Sequence, residues 1–207
     1  MTKQAEPEAL SVYLKSGTHA IHEQLDNHVM QLNPFADVTH YQGFLRMQLR
    51  LHTAGEPAYQ DAVLQALIPD LASHSRLSAV LKDCEDMGVP LSIQQQDQQL
   101  AHSIKITEPY AGIGWLYTIE GSSLGAAMIL KHVKNSLDLS ETFGAHHMAA
   151  HADGRATYWR EFKAMLDALE LNDFQRIHAL NGAIQAFNFV TNTVNEIMDT
   201  NKKEFSR

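Results

Sequence analysis

Apolar residues recur along most of this chain at helical spacing. Leu10, Leu14, Ile21, Leu25 and Val29 fall at intervals of four and seven, which predicts a first helix ended by Asn33-Pro34. A second helix is predicted from about Thr39, carrying Tyr41, Phe44, Leu45, Gln48, Leu49 and His52. It is expected to bend or break near Gly55 and Pro57 and to resume towards Leu67. Residues 77–87 read as a short amphipathic helix stopped by Gly88. The polar stretch 94–99 reads as an exposed loop or a ragged helix.

The apolar run 113–133 predicts a long helix from about Thr107, a candidate N-cap, to Asn135. An irregular stretch dense in His and Gly follows over 143–154. Tyr158, Trp159, Phe162, Met165, Leu166 and Leu169 mark another helix, and Asn172 is placed to cap a final one through Met198. Nothing alternates with period two for long, and no internal repeat is visible. The expectation is an all-α chain of seven or eight helices. It should form a single domain over 1–207, with residues 1–8 and 200–207 frayed.

Composition narrows the function. At 207 residues the chain is long enough to bury a full core. No stretch approaches the roughly 18 consecutive apolar residues of a membrane helix, and the polar N-terminus has no secretory apolar segment, so membrane insertion is not expected. A formal charge of −8 argues against a general nucleic-acid binder. A lone cysteine, Cys84, excludes an intramolecular disulfide and fits a reducing, cytoplasmic compartment. Twelve histidines make a metal or heme ligand worth seeking among them.

Two segments carry candidate chemistry. On the first helix, Lys15 and His22 share nearly one face, about 10 Å apart along the axis. An ammonium and an imidazole so placed suit a planar dianionic ligand. His19 and His28 are competitors, and His19 with His22 would suit a divalent metal. The second segment is Gly121-Ser122-Ser123-Leu124-Gly125. Two glycines one turn apart each cost roughly 1 kcal/mol in a helix interior. Such a pair implies something flat or bulky against the backbone, either a crossing helix or a planar ligand. The same five residues fit the G-x-S-x-G elbow of serine hydrolases, with Ser123 as nucleophile, His146, His147 or His151 as base, and Asp153 as its partner. That elbow needs a parallel sheet, which no other segment supplies.

The run Gly114-Trp-Leu-Tyr-Thr-Ile-Glu-Gly-Ser-Ser-Leu-Gly-Ala-Ala127, followed by Lys131-His132, closely resembles the distal helix of bacterial iron-acquisition heme oxygenases. Thr18-His-Ala-Ile-His-Glu-Gln-Leu-Asp26 is similar to the family's proximal helix, and Phe143-Gly-Ala-His-His-Met148, Asp153-Gly-Arg155 and Ala186-Phe187 fit further segments. The resemblance spans residues 10–194. It implies an all-α bundle that holds heme, both substrate and cofactor, between the first helix and a kinked glycine-rich helix.

By the same resemblance, His22 is the axial iron ligand, as a neutral imidazole that leaves the other face open to O2. Gly121 and Gly125 admit the ring and O2 close to the backbone. Lys15 and Tyr117 meet propionates, Gln48 orders distal water, and Phe187 walls the pocket. Ser123, Lys131 and His132 complete the matched heme-contacting positions. Ser122 stands where the mammalian-type branch has a water-anchoring aspartate, so water must be held by backbone near Gly121, by a hydroxyl or by Gln48.

The products implied are biliverdin, CO and ferrous iron. O2 is the co-substrate, and electrons come from a ferredoxin, a flavodoxin or an NAD(P)H-dependent reductase. The branch with a rotated heme has an uncharged residue at the place of Lys15 and a lysine at that of Met30, so the α isomer is expected here. Two alternatives use a related scaffold: a heme carrier or sensor, and a thiaminase-like enzyme. The latter needs a nucleophilic thiol, and Cys84 falls on a segment expected to lie away from the pocket.

Overall fold

The computed structural model describes residues 8–204, with side chains through 199. The ends expected to fray fall largely outside these residues. Eight α-helices are present among them: α1 (Leu10–Gln31), α2 (Val38–Gln60), α3 (Ala62–Leu67), α4 (Leu77–Asp86), α5 (Leu91–His102), α6 (Pro109–Leu137), α7 (Arg155–Asp167) and α8 (Asp173–Glu204). Two short 3₁₀ turns accompany them, and no strand occurs among the described residues. None of these helices is long and apolar enough to cross a membrane.

Long helix α8 is the spine, with α6, α1 and α2 packed along it. The tightest crossing joins α6 to α8. A Cβ added at Gly114 would lie 2.0 Å from the Ala179 carbonyl oxygen and 2.2 Å from the Ala183 nitrogen. One added at Gly182 would lie 2.0 Å from the Ala111 carbonyl oxygen. Backbone touches backbone there because no side chain intervenes. Trp115, Leu116 and Ile113 of α6, Tyr41, Leu45 and Leu49 of α2, and Ala183 and Val194 of α8 are fully buried in the core.

Several sequence-based expectations hold locally. Gly88 follows α4 with φ +70, and α8 begins in a reciprocal cap. Asn172 Oδ1 accepts from the Gln175 backbone at 3.0 Å, while Gln175 Oε1 accepts from the Asn172 backbone at 2.9 Å.

Three expectations need correction. Helix α2 does not break at Gly55 or Pro57 but runs on to Gln60, where Asp61 ends it and caps α3 through Val63 N at 2.9 Å and Leu64 N at 3.0 Å. Burial of Ala58 and Tyr59 outweighs the hydrogen bond that Pro57 forfeits. Gly55 serves packing, since its Cβ would lie 2.3 Å from Ile119 Cδ1. The polar stretch 94–99 is neither loop nor ragged helix but the interior of α5. Its Asp97 is fully buried and accepts from Arg46 Nε at 2.8 Å and Arg50 Nε at 2.7 Å, and Arg50 reaches Glu196 of α8 as well. A charge can be interior only when paired in this way. Thr107 is not the N-cap of α6: Glu108 occupies that place, with Pro109 opening the helix.

Candidate functional site

Helices α1 and α6 both lie on α8 but scarcely touch one another, and the space between them over α8 is the candidate cleft. α6 changes character at this cleft. Residues 112–116 and 118–120 are buried, whereas Ser122, Leu124, Gly125, Ala127 and Met128 are exposed, Leu124 by 43% and Met128 by 79%. An apolar helix left open over a cleft is the mark of a covering group.

The two glycines of the motif part company. A Cβ at Gly121 would meet the Trp159 ring at 3.3 Å, so a residue of crossing helix α7 accounts for it. At Gly125 nothing lies within 4 Å. Helix crossing is instead the work of Gly112, Gly114 and Gly182. Neighbouring protein gives no reason for the missing side chain at Gly125.

On the facing wall, His22 is 55% exposed at its side chain, and its Nε2 lies 3.2 Å from Asp26 Oδ2, one turn on. Its ring sits 5.0 Å from that of Phe187 on the α8 floor. The Asp26 hydrogen bond is the main cause that raises the His22 pKa above its ordinary 6.5, with burial opposing. Lys15 is exposed two turns earlier and pairs with no carboxylate among the described residues. His19 points to solvent beside Glu23, at 4.0 Å, and no group of metal-ligating residues forms around it. Met30 is 56% exposed near the end of α1.

Tyr117 is half-buried, packed on Trp159 at 5.4 Å and one turn before Gly121, and burial raises its pKa so that the hydroxyl keeps its proton. The Ser122 hydroxyl donates to the Ile119 carbonyl at 2.6 Å, which commits its proton to the helix itself. Ser123 Oγ is buried without a hydrogen-bond partner among the described residues.

Helix α2 runs antiparallel to α6, with Ala58 near Gly112, Gly55 near Ile119, and Phe35 beside His132. Half-buried Gln48 lies two turns before Gly55 and so on the face turned to α6. Between them stands His52, buried, its Nδ1 also without a partner. Burial, with His147 and Arg76 nearby, lowers its pKa to about 3, so it is neutral. Lys131 is exposed, and His132 rests on Phe35 at 5.4 Å, towards the far end of α6. The structure thus brings His22 and Phe187 together and sets Gly121, Ser123 and Tyr117 on one stretch of α6. It puts Lys131 and His132 about two to four turns beyond them.

The hydrolase and thiaminase-like alternatives lose their footing. Ser123 lies within an α-helix, and the histidines that would serve it are engaged elsewhere: His147 Nδ1 with Asp83 at 2.5 Å and His146 Nε2 with Asp86 at 2.9 Å. His151 Nε2 accepts from Arg76 at 2.8 Å. The Cys84 thiol is fully buried and pushed up to about 12 by burial, the opposite of a nucleophile.

Four residues escaped the sequence reading. Asp26 was legible as the carboxylate at i+4 from His22. Glu120 was legible as the sole acid of α6. Nothing local signalled His52 or Trp159, which matter only because of what packs against them.

A flat ring carrying iron and carboxylates fits these residues. Gly125 gives close approach, Ser123 Oγ needs a partner, His22 has a ring nitrogen to offer, and Lys15 a charge. Comparison with known proteins agrees. Residues 8–196 match the heme oxygenase family. The chain is 36% identical over 176 residues to the heme oxygenase PigA of Pseudomonas aeruginosa, covering 83% of this chain and 84% of that one. It superposes on the NO- and CO-bound heme oxygenase of Neisseria meningitidis with a TM-score of 0.80 at 35% identity, covering 93% and 94% of the two chains. A heme complex of a Synechocystis heme oxygenase shares the fold at a TM-score of 0.73 and 16% identity, over 96% of each chain. With nearly its whole length matched by the family and by these enzymes, this chain belongs to the heme oxygenase family.

Proposed function

We propose that the chain binds heme in the α1–α6 cleft and opens it with O2 to biliverdin, CO and ferrous iron. The observations that carry this reading are an open Gly125 backbone on α6 and a half-exposed His22 resting on Phe187 of α8, the helix on which α1 and α6 both pack. Heme supplies both the iron that activates O2 and the carbon that is oxidised. The protein's part is to hold, orient and enclose.

His22 offers a neutral nitrogen to the iron while Asp26 steadies the ring. Lys15 and the Tyr117 hydroxyl hold the propionates, and Phe187 supports the ring from α8. The Gly125 backbone would let the ring approach α6 closely, with Gly121 packed under Trp159 one turn earlier. Neutral His52, the Ser123 hydroxyl and Gln48 have the capacity to order water, and buried orphan atoms of this kind are where ordered water resides. None of them is a strong acid, which favours attack on the ring over O–O cleavage. Lys131 and His132 stand at the far end of α6, where they serve as a basic rim. Electrons come from an external ferredoxin, flavodoxin or NAD(P)H-dependent reductase. The single reduced cysteine supports a cytoplasmic setting, where the product that serves the cell is iron.

His22→Ala should abolish the histidine-ligated heme spectrum and turnover, with added imidazole restoring part of the spectrum. His19→Ala should do neither. The reverse pattern would defeat the assignment.

The pH dependence has a defined sign. Iron takes the unprotonated ring, and the Asp26 bond holds the His22 pKa above 6.5. Heme affinity should therefore be full above that raised value and fall as pH drops through it. Asp26→Asn should move the midpoint to lower pH. A heme titration between pH 5 and 9, scanned spectroscopically, reads both, and an unmoved midpoint would remove Asp26 from the account.

Ring opening should give biliverdin IXα. Lys15 is present and the competing lysine is replaced by Met30, so the propionates have one cationic anchor on α1. A partly buried ammonium–carboxylate contact is worth about 1–3 kcal/mol, enough to select one seating roughly tenfold or more. Lys15→Ala should mix the isomers. Chromatography of the extracted bilin against isomer standards decides, and a mainly β or δ product from the parent protein would refute the seating.

A further inference from the structure

Glu120 is the only acid on α6 and is 4% exposed. It is the last buried residue before the helix opens to the cleft. Its Oε1 accepts from the Tyr59 hydroxyl of α2 at 2.5 Å, and its Oε2 from the Tyr158 hydroxyl of α7 at 2.7 Å. Burial raises its pKa, and the two phenols and Arg76 pull the other way. A hydrocarbon side chain would fill such a position at lower cost. What the acid adds is direction, because each oxygen is tied to a different helix.

The neighbour of Tyr158 is Trp159, whose ring faces Gly121. Adjacent residues of α7 therefore grip adjacent residues of α6. Tyr158 is itself fixed: its ring lies flat on His151 at 3.5 Å and 5°, and His151 is held by Arg76 at 2.8 Å. Just beyond this grip α6 is open over 122–128, where Ser122, Leu124, Gly125, Ala127 and Met128 are exposed, before Leu130 and Val133 bury it again.

We propose that Glu120, held by Tyr59 and Tyr158, is a positioning residue that sets the height of segment 121–125 over the cleft and so the seat of the bound ring. The seat rests on the reading of the cleft as a heme site; the grip does not.

The test uses Tyr158→Phe and Glu120→Gln in the full chain, with Tyr41→Phe as control. Tyr41 is a phenol buried more deeply than Tyr158 that donates to the Gly144 carbonyl at 2.7 Å, away from this segment. In heme-free protein, Tyr158→Phe should quicken amide hydrogen exchange over 121–126 severalfold, as loss of a buried hydrogen bond implies. Tyr41→Phe should leave those amides unchanged. In heme-loaded protein, Tyr158→Phe and Glu120→Gln should both spread ring opening over more than one meso position, while Tyr41→Phe should not. Unchanged exchange at 121–126, or equal acceleration along all of α6, overturns the grip. Faster local exchange with an unaltered isomer ratio overturns its role in seating. Failure of the parent protein to bind heme would instead sink the cleft reading, and the exchange result would still judge the grip.

Discussion

Gly125→Leu should leave the heme-free protein as stable as the parent, or slightly more so, while removing its ability to take up heme. The two effects separate because Gly125 has no protein atom within 4 Å of where its Cβ would stand. Replacing an exposed helical glycine by leucine gains roughly 0.8 kcal/mol of helix propensity. The same side chain projects into the space that the ring must occupy. Overpacking of about 3 kcal/mol corresponds to roughly a hundredfold loss of affinity. The checks are a melting curve without heme and a heme titration at one pH. A melting temperature several degrees lower, with heme uptake and turnover intact, would mean that the glycine serves packing and that the ligand reading of the motif is wrong. Gly121→Ala is the intermediate case, since its Cβ would stand 3.3 Å from Trp159 and force that ring to give way slightly.

Gly182→Ala should do the opposite, damaging the fold wherever heme stands. Its Cβ would come 2.0 Å from the Ala111 carbonyl oxygen, and backbone cannot step aside as a side-chain end can. Helices α6 and α8 would have to part along the crossing that holds the core, loosening Ile113, Trp115 and Ala183 together. The gain in propensity is about 1 kcal/mol. The strain lies at the top of the overpacking range, about 3 kcal/mol or more. The net cost of about 2 kcal/mol or more lowers the melting temperature of a chain of this size by about 4–8 °C or more. Heme uptake by the fraction still folded should persist at low temperature, because Gly182 touches none of the cleft residues. A shift of less than 2 °C, read by circular dichroism, would show that the helices can separate at little cost.

Glycine was thus ambiguous in one dimension. At Gly114, Gly121, Gly125 and Gly182 the sequence offers the same letter in helical surroundings, and the reason for it differs at each. Gly114 and Gly182 admit backbone, Gly121 admits an indole, and Gly125 admits nothing the chain itself provides. Asp97 makes the same point for charge. In a run of glutamines it reads as solvated, and only Arg46 and Arg50, some fifty residues earlier, account for its burial.

What the sequence determined by itself was whatever depends on neighbours three, four or seven residues away. Apolar spacing set the helical class, Gly88 and Asn172 marked helix ends, and the Lys15–His22 and Gly121–Gly125 spacings fixed which side chains share a face. These are properties of a single helix, decided by its own geometry. Only the tertiary structure decided what lies between helices. It left α1 and α6 apart on the α8 floor, set Phe187 beneath His22, drove Pro57 into an unbroken α2, and joined Tyr59 and Tyr158 on Glu120. Those outcomes rest on burial and hydrogen-bond partners supplied from distant positions, and such partners are chosen by packing and not by spacing along the chain.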